Sequence, residues 1–123
     1  MTAAWPYVNA SPHLGSFLHL LTGDVLSRYL RLSGQKVVYV SGSDAHGTPI
    51  VVSAEKGGRS PEEVAFKYHE EYVKLLERWG ISLDNYTVTH NPLHIIFCQE
   101  FYRKIFKNGY LFKSQTEQPY CTK

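Results

Sequence analysis

The sequence predicts an α/β fold on a mostly parallel sheet, and three observations carry that reading. Short β-branched or apolar runs alternate with stretches of helical periodicity along the whole chain. Helix-start and helix-stop residues punctuate them at the spacing of strand–helix–strand units. The 123 residues, 43% of them hydrophobic, carry enough apolar surface for one small core. Strand–helix–strand crossovers are right-handed, and ligands in such sheets sit beyond the carboxyl ends of the strands.

Taken in order, a first strand is expected to end at Trp5, followed by the loop Pro6-Tyr7-Val8-Asn9-Ala10. Ser11 has the chemistry of an N-cap, and Pro12 suits the first helical position because its missing N–H has no partner there anyway. Leu14, Phe17, Leu18, Leu21, Val25, Tyr29 and Leu32 then recur at helical spacing as far as Gly34. Residues 36–40 are short and β-branched, as a buried strand would be. A glycine-bearing loop, residues 41–49, leads into a short helix over 50–56, closed by Gly57-Gly58.

Ser60-Pro61-Glu62-Glu63 spells a capping box with proline in the first turn. Its helix carries Val64, Tyr68, Tyr72, Leu75, Leu76 and Trp79 on one stripe and stops at Gly80. Residues 86–89 are read as a third strand. Asn91-Pro92 opens a further helix with Ile95, Ile96, Phe101, Ile105 and Phe106, ended by Asn108-Gly109. Residues 110–113 are read as a fourth strand.

Composition excludes several classes. A formal net charge of +2 is too small to make a nucleic-acid binder by itself, since phosphate contacts need a concentrated basic patch. Arg103, Lys104 and Lys107 sit together near a helix end, where cations offset the helix dipole. Cys98 and Cys121 form no Cys-x-x-Cys, so this segment alone builds neither a closed zinc site nor a redox pair. Two unpaired thiols and the lack of a signal peptide point to the cytoplasm. No apolar run reaches the span of a membrane helix, so no membrane association is expected. There is no G-x-G-x-x-G, no P-loop and no H-E-x-x-H. Of the histidines, His19, His69, His90 and His94 are read as structural, His46 as orienting its loop, and no metal ligand is assigned.

Two loops carry chemistry. His13-Leu14-Gly15-Ser16 falls where the first long helix begins. Residues three apart share a helix face, so His13 and Ser16 can meet one ligand, and free N–H groups at a helix start favour phosphate. Gly15 leaves the backbone open to a flat group such as a base. After the second strand stands Asp44, an acidic partner for a cationic amine, or else a turn residue.

The His-x-Gly-x element resembles the nucleotide-binding motif of class I aminoacyl-tRNA synthetases and related nucleotidyl transferases. Pro6-Tyr7-Val8-Asn9 before it, and Gly42-Ser43-Asp44-Ala45-His46-Gly47-Thr48-Pro49 after the second strand, resemble the methionyl-tRNA synthetases along essentially the whole chain. The resemblance implies the first half of a class I Rossmann-type nucleotide-binding fold over residues 1–118. From 119 to 123 it implies the start of a connective insertion bearing zinc knuckles, where Cys121 is a candidate ligand of a knuckle completed beyond Lys123 and binds nothing alone. It implies methionine, ATP with magnesium and the tRNA for methionine as substrates.

His13 and Ser16 would be catalytic, and Asn9, His13, Gly15 and Ser16 would bind ATP. Ala4, Trp5, Tyr7 and Asp44 would hold methionine, Asp44 through the ammonium group. Two positions depart from the family pattern. Trp5 replaces a common leucine, and Ser16 stands where the motif ends in a second histidine. The family's second half supplies a Lys-Met-Ser-Lys-Ser loop, so residues 1–123 alone are not expected to sustain turnover. Two rival readings are a non-catalytic ATP- or partner-binding paralogue and another His-x-Gly-His nucleotidyl transferase.

Overall fold

A computed structural model describes residues 1–119. The elements run α1 (Leu14–Leu32), β1 (Val40–Ser43), α2 (Thr48–Gly57), α3 (Pro61–Arg78), β2 (Asn85–Val88) and α4 (Pro92–Lys107). They fall into two units, Met1–Asn91 and Pro92–Lys123.

In the first unit β1 and β2 pair in parallel, Val40 opposite Asn85 and Ser43 opposite Val88. The crossover between them holds α2 and α3, as the strand–helix–strand alternation requires. The N-terminal segment runs parallel to β1 but is not the continuous strand expected to end at Trp5. It touches at two isolated bridges, Thr2 with Val40 and Tyr7 with Asp44. Between these bridges it holds one more residue than β1 does, and Pro6 has no N–H to donate, so the ladder breaks there.

The second strand also shifts, from the expected 36–40 to Val40–Ser43. The groups a ladder would need before Val40 are taken elsewhere. The Tyr39 N–H donates to Asp84 Oδ2 at 2.6 Å, and the Val37 carbonyl accepts from Arg31. Ser41, Gly42 and Ser43 are instead the buried core of the strand. At Gly42 the lack of a side chain is required. A Cβ on Gly42 would lie 2.5 Å from both the Thr87 carbonyl oxygen and the Trp5 indole. Because one obstacle is backbone, Gly42→Ala is expected to destabilise the protein by about 1–3 kcal/mol, the usual cost of overpacking. A shift in the urea midpoint at unchanged m-value measures it.

Helix α1 begins two residues later than expected. Its N-cap is His13, not Ser11, and Pro12 precedes the helix. Its buried face also differs from its apolar stripe. Phe17, Leu20, Asp24 and Ser27 point inward, while Leu14, Leu18, Val25, Tyr29 and Leu32 are exposed. Small residues decide this. With no side chain at Gly23, the fully buried Tyr39 reaches past it to donate to the Leu20 carbonyl at 2.8 Å. Asp24 is buried yet satisfied: Ser82 donates from its backbone N–H at 2.6 Å, and Arg28 Nε from 2.7 Å. Burial works against its ionisation, but the hydrogen bonds and the Arg28 charge outweigh that and lower its pKa.

The remaining helices of this unit follow their end signals closely. Ser60 and Glu63 form the expected reciprocal box at 3.1 and 2.8 Å. Gly58 closes α2 in the left-handed region at φ 60°, where a side chain would be strained. Val64, Ala65, Tyr72 and Leu76 of α3 pack with Val8, Phe17, Leu20, Ile50, Ala54 and Val88 as the core.

The second unit is built on α4, which buries none of its residues fully. Lys104 and Lys107 lie in its last turn, where their charge offsets the dipole. The expected strand over 110–113 does not form, and Tyr110 and Phe112 stand exposed. An apolar run becomes a strand only beside another strand, and residues 110–119 have none among the described residues. Cys121, and with it all but the first residue of the insertion expected over 119–123, lies outside the described residues.

Candidate active site

The residues singled out in the sequence stand in three places: the carboxyl end of β1, the N-terminal segment over 4–9 beside it, and the start of α1. The N-terminal segment is pinned from both sides. Val8 N–H donates to the Asp44 carbonyl at 3.2 Å, Asp44 N–H donates to the Pro6 carbonyl at 2.8 Å, and Ser53 Oγ donates to the Asn9 carbonyl at 2.8 Å. Tyr7 is therefore in register with Asp44, half exposed, with its ring edge over Gly47. The Ala4 carbonyl meets His19 Nε2 at 2.8 Å, which ties the segment to α1.

Asp44 takes the turn role its type allows. Its Oδ1 accepts from the His46 N–H at 3.1 Å, closing a turn, while the side chain stays only partly buried. A carboxylate has about four acceptor positions, so one such bond leaves capacity for a cation.

At the helix start the motif is self-bonded. His13 Nδ1 accepts from the Ser16 N–H at 3.2 Å, and Ser16 Oγ accepts from the His13 N–H at 3.1 Å. The same hydroxyl donates to the His13 carbonyl at 2.9 Å. A Cβ on Gly15 would stand 3.1 Å from the imidazole, so a side chain there would have to push the capping ring aside by a few tenths of an ångström. The imidazole thus has Nε2 left to meet a ligand, and the ring is exposed. Ser16 also bonds to the Tyr72 phenol, whose burial pushes its pKa up while that bond pulls it back. The serine hydroxyl is spent inside the protein. Ser16→Ala is expected to cost about 1 kcal/mol by removing the bond that closes the box; the change in unfolding midpoint reads it.

Several neighbours were invisible in the sequence. The wholly buried Ser43, next to Asp44, bonds through Oγ to His69 Nδ1 at 2.9 Å and to Tyr86 Oη at 3.0 Å. The His69 and Tyr86 rings stack at 5.7 Å, 4° from parallel. Burial holds His69 below the ordinary histidine range against the opposing pull of Glu70, and pushes Tyr86 up to about 12. On the other side of Asp44, the Ala45 N–H donates to Thr89 Oγ1 at 2.8 Å. His46 Nε2 and His90 Nδ1 lie 3.4 Å apart, with Glu62 3.8 Å from His90. Among the described residues no group of three or more His, Cys, Asp or Glu is placed to hold a metal ion. No described helix is long and apolar enough to cross a membrane.

A parallel strand pair with a turn-borne carboxylate at its end, beside a helix capped by His-x-Gly-x, defines the Rossmann-like amino-terminal part of a class I synthetase fold. Residues 1–123 match the family described as "tRNA synthetases class I (M)", and the chain belongs to that family.

Its relatives include the methionine–tRNA ligases of Ignicoccus hospitalis, 53% identical over 98% of this chain, and of Thermofilum pendens, 52% identical over 98%. The chain spans 22% of the length of each. The crystal structure of Mycobacterium tuberculosis methionyl-tRNA synthetase bound by methionyl-adenylate superposes with a TM-score of 0.82 at 27% identity. That match covers 88% of this chain and 21% of the other.

Proposed function

We propose that the protein carrying this chain is a methionine–tRNA ligase that works in the cytoplasm. It activates methionine with magnesium-bound ATP to methionyl-adenylate and passes methionine to its tRNA. The observation that carries this reading is the pairing of Tyr7 with Asp44 at the end of β1. It sets an aromatic residue opposite an acidic one, the two residue types an amino acid with an apolar thioether and a cationic amine needs. The likeness to a synthetase bound by methionyl-adenylate supports it.

In this reading Asp44 pairs with the ammonium group, and Ala4, Trp5 and Tyr7 border the methionine. His13 presents Nε2 to the phosphates from the helix start, where free N–H groups and the dipole already favour anions. Asn9 and Gly15 border the nucleotide. Ser16 serves by holding the His13 ring rather than by touching phosphate, which accounts for serine where the family motif has histidine. No side chain acts as a nucleophile. The methionine carboxylate attacks the α-phosphorus and pyrophosphate leaves, so the chain's contribution is alignment and charge stabilisation. A zinc site is proposed only for the insertion that would follow residue 119. Methionine-dependent exchange of pyrophosphate into ATP by the full-length protein tests the reading, and exchange dependent on another amino acid would refute it.

A further inference from the structure

Ser43 immediately precedes Asp44, so whatever holds its side chain sets the direction in which the Asp44 carboxylate leaves the strand. Its backbone is already tied, since the Ser43 carbonyl accepts from Thr89 N–H at 3.0 Å. The hydroxyl is tied a second time, to a histidine on α3 and a tyrosine on β2. The distances fit a chain in which Tyr86 donates to Ser43 and Ser43 donates to the Nδ1 lone pair of a neutral His69, and equally the reverse chain that starts from a His69 Nδ1–H. An apolar trio of equal volume would fill this space without the desolvation that three polar groups incur. What the hydrogen-bonded trio adds is direction, because a hydrogen bond fixes an angle and apolar packing does not.

We propose that His69 is a positioning residue for the Asp44 carboxylate, acting through the Ser43 hydroxyl. The inference rests on the reading that Asp44 meets the substrate's ammonium group. It gives α3, which supplies none of the residues assigned to substrates, a role in amino-acid affinity. His69 faces Ser43 and Tyr86, with Glu70 as its charged neighbour along the helix.

The test uses pyrophosphate exchange by the full-length protein. His69→Phe keeps a flat ring against Tyr86 and removes Nδ1, whereas His69→Asn keeps an amide near the Nδ1 position. Ser43→Ala breaks the same bond from the other end with the least change in volume, and serves if His69→Phe does not fold. His69→Phe and Ser43→Ala are each expected to raise the KM for methionine about tenfold, the scale of one lost buried hydrogen bond. The KM for ATP should stay within twofold, and His69→Asn should recover most of the loss.

Combined with Asp44→Ala, His69→Phe should raise the methionine KM no further, since both act on one interaction. Equal losses for methionine and ATP, or a fall in thermal stability with both KM values unchanged, would overturn the inference and leave Asp44 in place. An Asp44→Ala protein with unchanged methionine KM would instead remove the reading beneath it.

Discussion

Replacing Asp44 by alanine in the full-length protein is expected to weaken methionine by about 2–5 kcal/mol, the usual cost of truncating one side of a desolvated charge pair. That corresponds to roughly thirtyfold to several-thousandfold in affinity. The structure adds a control, because Asp44 Oδ1 also closes a turn with the His46 N–H. Asp44→Asn keeps an oxygen for that turn and removes the charge, so it should lose nearly as much methionine affinity with less change in stability. Methionine analogues without the amine should bind both variants about as well as the parent. If they lose as much as methionine does, Asp44 is a turn residue and its assignment to the ammonium group fails. Equilibrium binding without ATP makes the comparison cleanly.

His13→Asn is expected to slow adenylate formation about 10²–10³-fold, the range for removing one donor aimed at developing charge. This substitution is informative because of how His13 is held. Its Nδ1 serves as the cap of α1, and asparagine is among the best N-caps, with its side-chain oxygen near the Nδ1 position. The helix start should survive while the outward Nε2 is lost. Rapid-quench measurement of adenylate, with methionine binding as the reference, separates the two functions of the ring. Normal adenylate formation with intact folding would take His13 out of the mechanism.

Features written in a few adjacent residues were legible before the structure. Ser60 and Glu63 meet within one helical turn, so their box follows from the letters alone. The stops at Gly34, Gly58, Gly80 and Gly109 follow likewise, since each takes a positive φ that few other residues tolerate. The His13–Ser16 and Asp44–His46 pairs are also local: the turn at Asp44 was one of its two readings, whereas the cap was expected at Ser11 and not at His13. The strand–helix alternation fixed the parallel pairing of β1 with β2, because only a crossover can join parallel strands.

What required the tertiary structure is every feature whose partner lies far along the chain. Apart from Phe17, the apolar stripe of α1 named residues that are not buried, because the helix turns inward the side on which Gly23 admits the Tyr39 ring and the small Ser27 is buried, a quality that hydrophobic periodicity does not register. Residues 41–43 were read as loop, because serine and glycine are poor strand formers, and only the close passage of Trp5 and Thr87 makes glycine necessary at position 42. Ser43, His69 and Tyr86 are 26 and 43 residues apart, and each alone reads as an ordinary polar or aromatic side chain. Local letters settle backbone conformation and helix ends, since those depend on dihedral preference and hydrogen bonds within a turn. The direction of a buried side chain depends on which distant group satisfies it, and that is decided only when the core closes.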